Sequence, residues 1–384
     1  MTTEMGHLGG SVQCIASRDA MYYHLDVLRE NVGPAMDILA DTILNPAFLD
    51  DEIEECKEVI LAQRTELPAE IFSRDAVQMA SFRGSPMGNS HFCPADKLDN
   101  ITREKIQNFR KEFYVGENSF VTAAGIEHDY FVDLVNDRFK NLSRGVSSKI
   151  EKSVFVGGLI ADERILKEPH IKIAIAFDFG GWRDPALVPA CVLQQLLGGG
   201  SSFSAGGPGK GMYTRLYREV LNQHHWVESA ESFMNVSNDC GVMGIDGSCD
   251  PEYMHNLIRV IVVQLTKLAY VPVTDEELNR AKKMLKSLMM MQLESRLVLC
   301  EDIARQYAAF GFRESPAAMC VNIDAVTKED LMGVALRLLK SAPSIGCVGQ
   351  DVSKMPTYKE ISDFTASTRH EAAKKTGAAN IPSA

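Results

Sequence analysis

A catalytic zinc centre built on a helix needs two histidines one helical turn apart, a glutamate beside them as general base, and a third ligand from elsewhere in the fold. The chain has nine histidines, His7, His24, His91, His128, His170, His224, His225, His255 and His370. None falls in a His-x-x-Glu-His or His-Glu-x-x-His spacing. His224 and His225 are adjacent, so on a helix or a strand they point apart and make poor co-ligands. Glu54, Glu55, Glu58 and Glu66 share one expected helix, and without histidine partners they read as a solvated acidic face. The nine cysteines are odd in number, scattered and never spaced Cys-x-x-Cys, which disfavours both a disulfide framework and a cysteine zinc site. They read as buried thiols in a reducing compartment.

The segment with the most unusual local composition is Gly198, Gly199, Gly200, Ser201, Ser202, Phe203, Ser204, Ala205, Gly206, Gly207, Pro208, Gly209, Lys210, Gly211 and Met212. So many glycines leave few side chains to pack and give wide access to positive φ, so the segment is expected to be mobile. A phosphate-binding loop of the form Gly-x-x-x-x-Gly-Lys-Ser/Thr fails at two fixed positions: Ser204 stands in place of the first glycine and Gly211 in place of the hydroxyl. The segment opens into Met212 to Leu221, which reads as an amphipathic helix with apolar positions 212, 216 and 220. From the residues alone, a functional loop and a passive one remain equally open.

The elements that must position these residues come from an internal repeat. An acidic helix start at Asp51 recurs at Asp275, and a helix-capping Thr102 recurs at Thr327. Short apolar strands ending in glycine follow at Ser119 to Gly125 and Ser344 to Gly349. Strand pairs near 9–29 and 229–250 carry Asp19 and Asp239 in their turns. These separations stay between 220 and 225 residues, the mark of a duplicated unit. The expected fold class is α+β, with two homologous domains, each a mostly antiparallel sheet packed by helices. The second copy opens with a strand from Ile171 and a helix near Ala186 to Leu197. No counterpart precedes the first copy's strand pair, so the first domain is expected to be truncated at its N-terminus. The expected boundaries are 1–145 for the N-terminal domain, 146–168 for a linker, 169–361 for the C-terminal domain with the glycine-rich segment, and 362–384 for a flexible tail.

Composition narrows the partners. A net charge of -11 argues against a nucleic-acid backbone and suits a cationic ligand. No apolar run approaches the roughly 20 residues of a transmembrane helix. Met1 to Gly10 resembles neither a secretory signal nor an Arg-rich transit helix, so any targeting segment is expected either to be missing from this chain or never to have existed.

The run Gly198 to Tyr217, together with Asn222 to Trp226, Met289 to Arg296, Glu301 to Gln306, His91 to Pro94 and Pro356 to Tyr358, resembles the alpha, or glycine-loop, subunits of mitochondrial processing peptidases. These are non-catalytic members of the pitrilysin-type metallopeptidases. The resemblance implies two homologous α+β domains, a heterodimer with a beta subunit in the mitochondrial matrix, and substrate binding by residues 198–212. It also implies no cofactor in this chain, with zinc in the beta subunit, and basic presequence peptides as substrates. Phe203 and Met212 would add apolar contact to the peptide. Two rival readings remain: a structural core subunit of the cytochrome bc1 complex, peripheral to the inner membrane, or the remnant of a zinc metalloendopeptidase.

Overall fold

The computed structural model describes residues 2–145, 150–164, 169–202 and 211–376. The first half contains α1 (Thr2–His7), β1 (Ser11–Ala16), β2 (Met21–Asp26), α2 (Val32–Leu44), α3 (Asp50–Glu66), α4 (Ala69–Ser81), α5 (Ala95–Leu98), α6 (Arg103–Phe113) and α7 (His128–Arg138). The second contains β3 (Gly158–Glu163), β4 (Ile171–Phe179), α8 (Leu187–Leu197), β5 (Gly199–Ser201), β6 (Val227–Val236), β7 (Gly241–Cys249), α9 (Met254–Tyr270), α10 (Asp275–Gln292), α11 (Arg296–Phe310), α12 (Pro316–Ala325), α13 (Lys328–Lys340), β8 (Ser344–Gly349) and α14 (Tyr358–Lys375). Thr102 and Thr327 cap α6 and α13 as their sequence positions require: each hydroxyl accepts a backbone N–H three residues on, and Asp330 completes a capping box on Thr327.

The chain divides into two compact units that do not follow the two sequence copies. One consists of residues 1–66, 91–150 and 290–314; the other of residues 67–90, 151–289 and 315–384. Helix α4 of the first copy therefore belongs to the second unit, and α11, its counterpart in the repeat, belongs to the first.

In the second unit a six-stranded sheet runs in the order β3-β8-β4-β7-β6-β5, antiparallel except for the β3/β8 pair. Strand alternation sends Ile171, Ile173, Ile175 and Phe177 to a core shared with α8, α9 and α13. On the other face Ala174, Ala176, Phe233 and Val242 meet Val77 of α4 and Phe82 just beyond it. The approach of α4 to β8 is close enough that a Cβ on Gly346 would lie 2.3 Å from the Ser73 carbonyl oxygen. The residues expected to be a linker contribute β3, because its backbone finds a parallel partner along the whole of β8. Residues 362–375 of the expected tail are helical: Thr357 and Glu360 form the capping box of α14, which buries Ile361 and packs on α9.

In the first unit, β1 and β2 form a two-stranded hairpin registered from Ser11↔Asp26 to Ala16↔Met21. Ser119 to Gly125, expected as a strand, is not one. Its equivalent β8 lies between β3 and β4, and among the described residues of the first unit no strand corresponds to β4. Without a neighbour to accept its ladder bonds the segment stays irregular; instead, Thr122 donates from its hydroxyl to the Cys300 carbonyl of α11 (3.2 Å). The cysteines are all free thiols, yet only Cys240, Cys249 and Cys347 are buried; Cys14 and Cys56 are exposed because the hairpin and α3 cover neither.

Candidate functional site

The glycine-rich segment is held at both ends by the second unit. Helix α8 stops at Gly198, whose φ of 56° is left-handed, and Gly199 follows at 110°. A Cβ on Gly198 would lie 2.3 Å from Thr214 Cγ2, and one on Gly199 would lie 2.0 Å from the Ala230 carbonyl oxygen. Glycine is thus required at both positions by conformation and by close approach. Gly199, Gly200 and Ser201 form β5, paired antiparallel with Glu231, Ala230 and Ser229 of β6. The ladder extends to Ser202, whose N–H donates to the Glu228 carbonyl (2.8 Å). Phe203, Ser204, Ala205, Gly206, Gly207, Pro208, Gly209 and Lys210 lie outside the described residues.

The segment returns at Gly211, which has a φ of 94°. The hydroxyl of Thr214 donates to the Gly211 carbonyl (2.7 Å) and accepts from the Gly199 N–H (3.2 Å), so it joins the two stems. Tyr217 donates from its phenol to the Ser201 carbonyl (3.0 Å). Met212 is exposed at 41% and takes no part in the core. The helix expected from 212 starts only at Arg215 and is wound as a π turn over Tyr217–Leu221, because Thr214 is used as the clip. Leu216 and Val220 are nevertheless fully buried, as the periodicity required. The sequence reading missed Thr214, Tyr217 and Ser232, whose hydroxyl donates to the Gln194 and Gly198 carbonyls (2.9 and 3.1 Å). Only the place of Thr214 and Tyr217 beside the glycines could have pointed to those two; Ser232 stands 34 residues from Gly198 and is brought there by the sheet.

An ion pair pins the far stem. Arg215 donates from Nε to Glu277 Oε1 (3.1 Å), with both side chains nearly enclosed. Burial works to raise the Glu277 carboxyl, but hydrogen bonds from Arg215 and the Thr274 backbone prevail and lower it to about 2. Arg280 donates to the Tyr213 carbonyl (2.9 Å) and pairs with Glu276 (2.8 Å). At the near stem Ser202 Oγ lies 3.4 Å from Glu228 Oε2, so an acidic side chain stands at the base of the segment. The hollow between Tyr213, Arg215, Glu277 and Arg280 encloses about 10 Å³, room for a water and not for a small organic ligand. A second group of charges, Arg74 with Asp246 (2.5 Å) and Glu231 (3.1 Å), ties α4 to β7 and β6. Burial there holds the Asp246 carboxyl above its usual range despite the guanidinium.

Residues 1–95 match the family described as insulinase (peptidase family M16), and residues 100–285 match the peptidase M16 inactive domain. The mitochondrial-processing peptidase subunit alpha of Solanum tuberosum is 35% identical over 365 residues, covering 94% of this chain and 71% of that protein. The subunit of the same name from Homo sapiens is 30% identical over 378 residues, covering 94% of this chain and 72% of its own length. The chain belongs to the mitochondrial-processing peptidase alpha-subunit family. A chain of complex III2 from Candida albicans, solved with Inz-5 bound, shares the fold of this alpha-family chain at a TM-score of 0.79 and 18% identity, over 93% of this chain and 86% of its own. The architecture is accordingly the two-domain α+β one of the M16 peptidases. Zinc, which the wider peptidase family implies, finds no matching donor set: among the described residues no group of three His, Cys, Asp or Glu side chains is arranged so that it could hold a metal ion. His224 packs against Trp226, with ring centroids 5.3 Å apart. Among the described residues, no single helix is long and apolar enough to cross a membrane.

Proposed function

We propose that this chain is the non-catalytic, substrate-recognising subunit of a heterodimeric processing peptidase of mitochondria. In this role it binds the basic presequences of imported precursors while a beta-type partner holds the zinc and cuts. The observation that carries the reading is the family membership: relatives named as alpha subunits align over 94% of the chain. The stems of the glycine-rich segment support a role for residues 198–212 as the peptide contact, since they are anchored to the rigid sheet at Gly199 and at Thr214. Glu228 supplies negative charge at that base, and the net charge of -11 attracts a cationic peptide over longer range. Phe203 and Met212 add apolar contact. The matrix is the compartment in which such a heterodimer meets its substrates.

The test is reconstitution with a beta-type subunit. The chain alone is expected to show no peptidase activity and no stoichiometric zinc, and the heterodimer to cleave a presequence-bearing precursor. Deleting 203–210 should weaken binding of a labelled presequence peptide with partner affinity unchanged. Equal affinity with and without those residues refutes the loop's role, and one tightly bound zinc per isolated chain refutes the non-catalytic assignment. A second reading, as a core subunit of complex III, draws on the fold shared with the Candida albicans chain; co-purification with cytochromes instead of peptidase activity would favour it.

A further inference from the structure

An edge strand of an antiparallel sheet turns alternate backbone groups outward, where another strand can join them. In β5 the inward set is fixed by two hydrogen bonds, Ser232 N–H to the Gly198 carbonyl (2.9 Å) and Ser202 N–H to the Glu228 carbonyl (2.8 Å). Gly199 and Ser201 therefore face away from β6. At each outward position one backbone group is engaged by a hydroxyl from the returning stem: the Gly199 N–H donates to Thr214 Oγ1, and the Ser201 carbonyl accepts from the Tyr217 phenol. Thr214 and Tyr217 are buried, at 4% and 7% exposure, so water does not compete for these bonds. The same Thr214 hydroxyl reaches the Gly211 carbonyl.

We propose that Thr214 and Tyr217 are positioning residues for presequence binding. Their hydroxyls stand in for a neighbouring strand, close the β5 edge to peptide addition, and clasp the two stems of the glycine-rich segment at a fixed spacing. A peptide is then received at the base formed by Ser202, Gly211 and Met212 and not as a seventh strand. This inference rests on the functional reading above, and two measurements separate its failure from the failure of that reading.

The variants are Thr214→Val, which keeps the side chain's shape and removes its hydroxyl; Thr214→Ser, which does the reverse; and Tyr217→Phe. Each is examined in the full chain reconstituted with a beta-type subunit, by hydrogen exchange at the Gly199 amide and by titration and cleavage of a labelled basic presequence peptide. Thr214→Val with Tyr217→Phe is expected to speed Gly199 exchange at least about tenfold. It should also raise Kd and KM about tenfold, the scale of one buried hydrogen bond, with kcat within about twofold. Thr214→Ser should stay within about twofold of the unaltered protein on every readout. Unchanged exchange refutes the clasp. Faster exchange with unchanged Kd and KM, or tighter binding at the freed edge, refutes the positioning role, as does a Thr214→Ser variant impaired as much as Thr214→Val. An unaltered heterodimer that binds no presequence peptide refutes the functional reading and the positioning role together, while the exchange result still decides the clasp.

Discussion

At Glu277 burial and hydrogen bonding pull the carboxyl in opposite directions, and the hydrogen bonds win. A glutamate free of such partners titrates near 4.5, whereas this one is held at about 2. Its contribution to stability is therefore complete above about pH 4.5 and is lost as the pH falls towards 2. Urea midpoints measured between pH 5 and pH 2.5 should fall more steeply for the unaltered chain than for Glu277→Gln. Truncation to Glu277→Ala leaves the Arg215 guanidinium enclosed without its acid and should cost about 3 kcal/mol at neutral pH. Because Arg215 follows Thr214 directly, the same truncation should loosen the glycine stems. Equal stability of the Glu277→Ala and unaltered chains would show that the pair is idle.

Among the elements, α4 and β8 meet backbone to backbone at Gly346. An added methyl at Gly346 meets the Ser73 carbonyl at 2.3 Å and the Val77 nitrogen at 2.5 Å, so the helix must lift from the strand. Gly346→Ala is expected to destabilise by about 1–3 kcal/mol. Gly333 lies inside α13 with nothing within 4 Å of the place an added methyl would take, and it should instead gain about 0.5–1 kcal/mol on replacement by alanine. Thermal denaturation of the two variants checks both signs, and a Gly346→Ala protein as stable as its parent would contradict the packing. The elements that could be read from the sequence are those fixed locally. β8 and the β6/β7 pair follow from apolar alternation and their turns, and the caps of α6 and α13 from a threonine at the right offset. The segment 119–125 carries an equally apolar pattern, but being a strand depends on having a neighbour, which no local pattern encodes. β3 was hidden for the converse reason: Gly157 and Gly158 announce a break, and only the edge of β8 makes the next residues a strand. At the candidate site the glycines were visible and their clasp was not, since Thr214 and Tyr217 act on partners 15 and 16 residues away.

For the whole molecule, the exchange of α4 and α11 between the copies means that the duplicated halves are not independent folding units. A fragment of residues 150–376 keeps the sheet but lacks the helix that covers Ala174, Ala176, Phe233 and Val242. Exposed apolar surface of this kind promotes association. Such a fragment is expected to aggregate or to bind a hydrophobic dye, and to recover a cooperative unfolding transition when residues 67–90 are supplied as a peptide. A monomeric fragment that unfolds cooperatively without the peptide would show that α4 is dispensable.

The position of α4 also bears on how the protein is made. Its partner strands β4 and β8 lie far downstream, and at roughly 5–20 residues per second the ribosome needs on the order of tens of seconds to bridge the gap. During that interval Phe72, Val77 and Phe82, all buried in the finished fold, have no sheet to lie against. The nascent chain therefore carries an adhesive helix through most of its synthesis. Cells short of chaperone capacity should lose this protein to aggregation before it completes its second half.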